Sequence, residues 1–314
     1  MGAATFVFVS KSSDADAAVA LSENSQTRTL IGTAVVATGV GIYVVAALTV
    51  AVIGEGQIRF TADSADTIPM WHPWLAAVVG VGLILITPTT GPVRGRAAPA
   101  KRVRLEAVVL LALAVTFTFA LTLLGPDEPN YTALKLGLLL LGPLLLFAVC
   151  RRFGAASRRS ALPASPGPGE VADKRSPWWP LVPAVGWTVT YLALSPTHPG
   201  TSFQVDPLTV IAMVLIGFLL NSVVEEFFYR RWLQTRWEGV LGGVWPASIV
   251  SSLTWASWHI AIQGTGDWVV DLANVVANQG VTGLFLGLLW QRHRAMWPLL
   301  LVHGLMNANP LALF

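Results

Sequence analysis

Apolar stretches recur along most of this 314-residue chain, broken by short polar loops. A membrane span needs about 20 mainly apolar residues to cross roughly 30 Å of hydrocarbon. About nine stretches qualify, near 30 to 54, 71 to 88, 105 to 125, 131 to 150, 177 to 196, 207 to 227, 245 to 262, 268 to 290 and 296 to 313. The pattern predicts an all-α protein, a polytopic transmembrane helical bundle of about nine spans. Composition points the same way, with 54% hydrophobic residues, 12% charged residues and a mean hydropathy of +0.62.

The basic residues give this bundle a direction, because Lys and Arg concentrate in cytoplasmic loops. Arg94 to Arg104, Arg151 to Arg175, Arg230 to Arg236, and Arg292 with Arg294 all fall in alternate loops. Only Arg59 and Lys135 break the alternation. The reading that follows is a multi-pass protein of the plasma membrane, its N-terminus cytoplasmic and its C-terminus outside. Lys135 is expected to snorkel to an interface. The net charge of +3 comes from these scattered loops, with no dense run of the kind that binds nucleic acid. Cys150 is the single cysteine, so no intrachain disulfide forms.

Four segments follow from the distribution of polar residues. Residues 1–28 form a polar cytoplasmic segment without the basic start and apolar run of a secretory signal. Residues 29–151 hold four very apolar spans that read as scaffold. Residues 152–177, rich in Pro, Ala and Gly, read as a cytoplasmic linker. Residues 178–314 hold the polar spans, and with them the chemistry.

Three motifs carry that chemistry: Glu225-Glu226-x-x-x-Arg230, Trp255-x-x-x-His259 and His303-x-x-x-Asn307. Ionisable groups at membrane depth cost at least about 2.5 to 3.5 kcal/mol each, so a cluster persists where partners or a polar cavity offset it. Glu226 and Arg230 are spaced to pair along one helix face. Glu225 lies about 100° around the helix, has no cation four residues on, and is available for chemistry. A carboxylate and an imidazole can activate water, while an imidazole or amide donor can stabilise an oxyanion. Glu225, His259 and His303 would equally make a zinc set with an open fourth position. The residues alone leave both versions open.

The series of motifs resembles the CPBP family of intramembrane endopeptidases. This family, also called Abi, groups the type II CAAX prenyl endopeptidases with bacteriocin-processing and immunity proteins. The resemblance covers about residues 205 to 310 and includes the run from Gly283 to Trp290 and from Met296 to His303. It implies hydrolysis of a peptide bond in a membrane-associated protein or peptide. By the same resemblance Glu225 and His259 activate the water, His303 and Asn307 stabilise the oxyanion, and Glu226 and Arg230 hold the helix geometry. Trp255 stands where the family usually has Phe. Water is expected to arrive from the cytoplasmic side, because Glu225 and Arg230 lie toward the basic boundary.

Two other classes compete with this reading. One is a non-proteolytic membrane scaffold or immunity-like factor; the other is a transporter with Glu225 and His259 as a proton relay, which the lack of internal repeats weakens. Other protease signatures find no support: the chain has neither His-Glu-x-x-His nor Gly-x-Ser-x-Gly. Gly264-Thr-Gly-Asp267 reads as a turn.

Overall fold

The computed structural model describes residues 11–60, 66–89, 100–158, 176–195 and 206–308. Most of the predicted linker and residues 1–10 lie outside them. The helices are α1 (Lys11–Val52), α2 (Trp71–Ile86), α3 (Ala100–Leu124), α4 (Asn130–Arg152), α5 (Leu181–Leu194) and α6 (Pro207–Leu241). They continue as α7 (Val244–Ser257), the single turn α8 (Ile260–Gln263), α9 (Trp268–His293) and α10 (Met296–Asn307). Each of the nine apolar stretches is therefore helical at its centre. Five helices among the described residues are long and apolar enough to cross a membrane: Gln26–Val52 within α1, then α3, α4, α6 and α9. α2 and α5 are apolar but shorter.

Local chemistry sets the helix ends. Asp206 caps α6 by accepting from the backbone N–H groups of Leu208 and Thr209, with Pro207 at the first helical position, where its missing N–H costs nothing. Asp267 caps α9 in the same way, so the Gly264–Asp267 stretch is a turn leading into a cap. Gly242, at φ +71°, ends α6 in the left-handed conformation that glycine adopts freely.

Successive helices run back and forth. One end of the bundle gathers Arg102, Arg151, Arg236 and Arg294 around one cavity. The turn between α3 and α4 and the turn after α8 lie at the other end. α9 is the central helix: its most apolar window is 78% buried inside the protein, against 11–28% for the other four span-length helices. Those four present apolar faces outward, as bilayer contact requires.

Two apolar cores flank α9, and each mixes residues from both sides of residues 152–177. One stacks Trp187 on Phe285 (5.4 Å, 5°) and on Tyr191 (4.8 Å, 12°), with Tyr43 and Val302 in the same cluster. The other joins Leu110, Phe117 and Leu139 to Phe228, Trp255 and Trp258. The N-terminal half is tied in by polar contacts as well. Tyr43 shares a 2.8 Å hydrogen bond with Ser252 and donates to the Gly280 carbonyl at 3.0 Å.

A small antiparallel hairpin, β1 (Gln57–Arg59) and β2 (Thr67–Pro69), interrupts the helices. Its strands are too short to show an alternating pattern in sequence. Arg59 donates to the Gln263 carbonyl at 3.0 Å, and its own carbonyl accepts from Asn278 at 3.0 Å. The hairpin is thereby pinned beside the end of α8.

Candidate active site

The polar side chains sit where helices lose regular winding. Glu225 and Glu226 occupy a three-residue α link, Val224–Glu226, between two π-helical stretches of α6, Phe218–Val223 and Phe227–Gln234. Lys135 opens another such stretch in α4, Lys135–Leu141, and Gln279 lies in one within α9, Val276–Gly280. Wider π turns are rare and concentrate at functional sites.

Glu225 is 1% exposed and fully partnered. One carboxylate oxygen accepts from Lys135 Nζ at 2.6 Å, the other from Trp255 Nε1 at 2.5 Å. Lys135 does not snorkel. It is completely buried, donates to Asn221 Oδ1 at 2.8 Å and to the Tyr131 hydroxyl, and lies 4.7 Å from the Trp258 ring centroid. The physical reason is pairing: a carboxylate at this depth needs a counter-charge, and α6 supplies none one turn on. The signal for Lys135 was in the sequence as one of the two basic residues that break the loop alternation. Both exceptions, Arg59 and Lys135, turn out to bind the C-terminal half.

Glu226 has a separate cation. Arg230 Nε lies 3.2 Å from Glu226 Oε2, and Arg230 also donates to Ser251 Oγ at 3.0 Å. The other Glu226 oxygen is 2.9 Å from His303 Nδ1. α6 and α10 are thus joined through a buried carboxylate, and His303 is oriented by it. The two adjacent glutamates diverge to different partners, as their 100° offset requires.

His259 points Nδ1 at the Trp255 carbonyl at 3.0 Å. A carbonyl only accepts, so Nδ1 carries the proton and Nε2 keeps its lone pair. His303 Nδ1 likewise faces an acceptor. Its Nε2 is an acceptor in the neutral ring and a donor only in the imidazolium. Trp255 lies at the centre: its ring is 5.0 Å from His259, 5.5 Å from His303 and 5.3 Å from the Arg230 guanidinium. Asn307 Nδ2 donates to Ser222 Oγ at 3.3 Å, which uses one of its two N–H groups.

Gly283 of α9 lets the helix approach this ring. A Cβ there would stand 2.8 Å from Trp255 Cε3 and 3.2 Å from the Ser252 backbone. Gly283→Ala is expected to lower stability by about 1–3 kcal/mol through overpacking. A fall in the thermal midpoint of the detergent-solubilised protein checks this; an unchanged midpoint would mean that Trp255 has room to move.

Glu225, Trp255, His259, His303 and Asn307 all line one cavity of about 390 Å³. The sequence motifs therefore meet. Tyr131, Asn221, Gln263 and Gln279 join them, and motif spacing gave no sign of these four. Gln279 donates to Gln263 Oε1 at 2.8 Å while its own Oε1 is buried without a hydrogen-bond partner. Pro126, Tyr131 and Gln263 belong to the bundle end opposite the arginines, so the expectation that water arrives from the basic end is corrected. Glu225 is at mid-helix, and the cavity reaches it from the other side.

The zinc set is not assembled. Among the described residues no three His, Cys, Asp or Glu side chains are arranged to hold a metal ion. Both Glu225 oxygens hold N–H donors, and the Nδ1 atoms of both imidazoles are engaged.

Residues 207–309 match the family model described as Rce1-like, type II CAAX prenyl endopeptidase. No curated protein and no solved structure matches the chain. The matched residues begin at the first turn of α6 and end just past Asn307, so they span all three motifs. With the motifs gathered at one buried cavity inside that match, residues 207–309 are similar to the Rce1-like type II CAAX prenyl endopeptidases, which fall in the CPBP, or Abi, family.

Proposed function

We propose that the chain is an intramembrane endopeptidase that hydrolyses a peptide bond of a membrane-associated protein or peptide. The observation that carries this reading is the convergence of Glu225 of α6, His259 of the turn between α7 and α8, and His303 and Asn307 of α10, three separate segments, on one polar cavity. The attacking water sits between the Glu225 carboxylate, whose oxygens each keep a second lone pair, and His259 Nε2. Proton loss toward that pair leaves hydroxide to attack the scissile carbonyl. Asn307, through its second N–H, and His303 as an imidazolium donate to the oxyanion. Glu226 is the counter-ion of both His303 and Arg230, and Trp255 fixes the Glu225 carboxylate and the His259 tautomer.

The division of labour assigns residues 178–314 the catalytic role and residues 29–151 a scaffold role, with Lys135 as the residue the scaffold lends to the site. The alternation of helix directions supports nine traverses, with the shorter α2, α5, α7 and α10 crossing inside the protein rather than against lipid. A basic end at the cytoplasmic face of the plasma membrane then leaves the N-terminus inside and the cavity on the outer half.

The test compares new peptide N-termini in membranes from cells that express the intact protein or Glu225→Gln at matched levels. Termini present only with the intact protein are expected, and they name the substrate. Identical sets would overturn the proteolytic reading and leave a binding function.

A further inference from the structure

The basic loops that orient this bundle are scattered in sequence, yet they meet in space. Arg102 at the start of α3, Arg151 at the end of α4, Arg231 and Arg236 on α6, and Arg294 after α9 line one cavity of about 630 Å³. All four basic clusters of the sequence contribute.

The cavity's basic groups are all arginines, although Lys101 lies beside Arg102 in the chain. A guanidinium presents paired N–H groups that match two phosphate oxygens, which an ammonium does not. Two carboxylates pair with these arginines. Glu106 accepts from Arg102 Nε at 2.8 Å and from Arg236 Nε at 3.0 Å, and Glu238 accepts from Arg294. Five guanidinium groups against these two carboxylates leave an excess of positive charge. Aromatic rings brace the cations: Arg236 lies 4.7 Å from the Phe147 centroid and Arg294 5.6 Å from Trp290.

Position narrows the ligand. α3, α4, α6 and α9 are all long enough to cross a membrane, and each has one terminus at this cavity. The site therefore lies at the level where apolar spans give way to charge. Beside it, Leu105 and Val108 of α3 and Leu145 of α4 are exposed apolar residues suited to acyl chains. Basic pockets between spans at this level receive phospholipid headgroups.

We propose that this cavity binds the phosphate of an anionic phospholipid headgroup, with Arg151 and Arg231 among its ligands. The assignment is independent of the proteolytic reading, because none of these residues lines the catalytic cavity.

The experiment titrates the full-length, delipidated protein with phosphatidylglycerol or phosphatidylcholine of matched acyl chains and counts bound lipids by native mass spectrometry. A preference for phosphatidylglycerol on the order of tenfold is expected. The double variant Arg151→Gln, Arg231→Gln should lose it; both side chains are exposed, so the fold is not at stake. The control Arg104→Gln, Arg152→Gln removes two exposed arginines of α3 and α4, helices that line the cavity, at positions outside its wall, and should keep it. Equal binding of the two lipids by the intact protein would overturn the proposal, as would equal loss in both double variants, which would mark diffuse surface charge. Displacement of the lipid by an equimolar amount of inorganic phosphate would reassign the cavity to a free anion.

Discussion

Glu225→Gln in the purified protein is expected to lower the turnover of a cleaved substrate by about 10²–10⁴, the range that a positioned acid or base supplies. The substitution keeps the shape of the side chain and an oxygen for Lys135, but removes the charge and a lone-pair site on which the proposed mechanism relies to hold the attacking water. Binding contacts made elsewhere in the cavity survive, so the loss should fall on kcat more than on KM. The measurement is a rate on a substrate identified from its new N-terminus. A Glu225→Gln protein that turns over at the intact rate would show that the carboxylate is only an ion-pair partner, and the assignment of the water to Glu225 and His259 would fall with it.

Lys135→Met is expected to destabilise the protein by about 3–5 kcal/mol, because it strands the Glu225 charge in a fully buried position. Glu225→Gln strands Lys135 in the same way. Combining the two replaces the buried ion pair with an uncharged pair of similar bulk, and such exchanges are often neutral or stabilising. The double variant should therefore recover most of the lost stability in thermal or denaturant unfolding. It should not recover cleavage. This separates the two jobs of Glu225: a double variant that is both stable and active would assign the carboxylate to structure, while a stable and inactive one assigns it to chemistry. Additive losses in the double variant would instead mean that Lys135 and Glu225 do not compensate one another.

The buried network explains why these effects are expected to be large. Each ionisable group near the cavity has a specific neighbour: Lys135 for Glu225, Arg230 and His303 for Glu226, and a backbone carbonyl for His259. Removal of one member leaves its partner without compensation in a medium that solvates charge poorly. The network also holds the two glutamates apart in function. Glu226 bridges α6 to α10, whereas Glu225 faces the cavity with Trp255 and His259.

The sequence by itself determined whatever depends on local composition and helical period. Apolar runs of span length placed the helices, because hydrocarbon admits backbone only when its hydrogen bonds close within the segment. The four-residue spacings put Glu226 beside Arg230 and the Trp255 ring beside His259, because residues four apart share a helix face. The same periodicity separated Glu225 from Glu226.

Only the tertiary structure decided which partner Glu225 takes, since Lys135 lies 90 residues away on another helix and no period links them. It decided that His303 reaches Glu226 across 77 positions, that the cavity is lined by Pro126, Tyr131 and Gln263 from the end opposite the arginines, and that no three His, Cys, Asp or Glu side chains among the described residues are arranged to hold a metal ion. It placed Tyr131, Asn221, Gln263 and Gln279 around the cavity, residues with no motif to mark them. It also gathered into one cavity arginines from four loops, which the sequence reads as orientation signals that meet anionic lipid heads. The reason is the same in each case: helical spacing fixes the face on which a side chain lies, while the partner it meets depends on how whole helices pack.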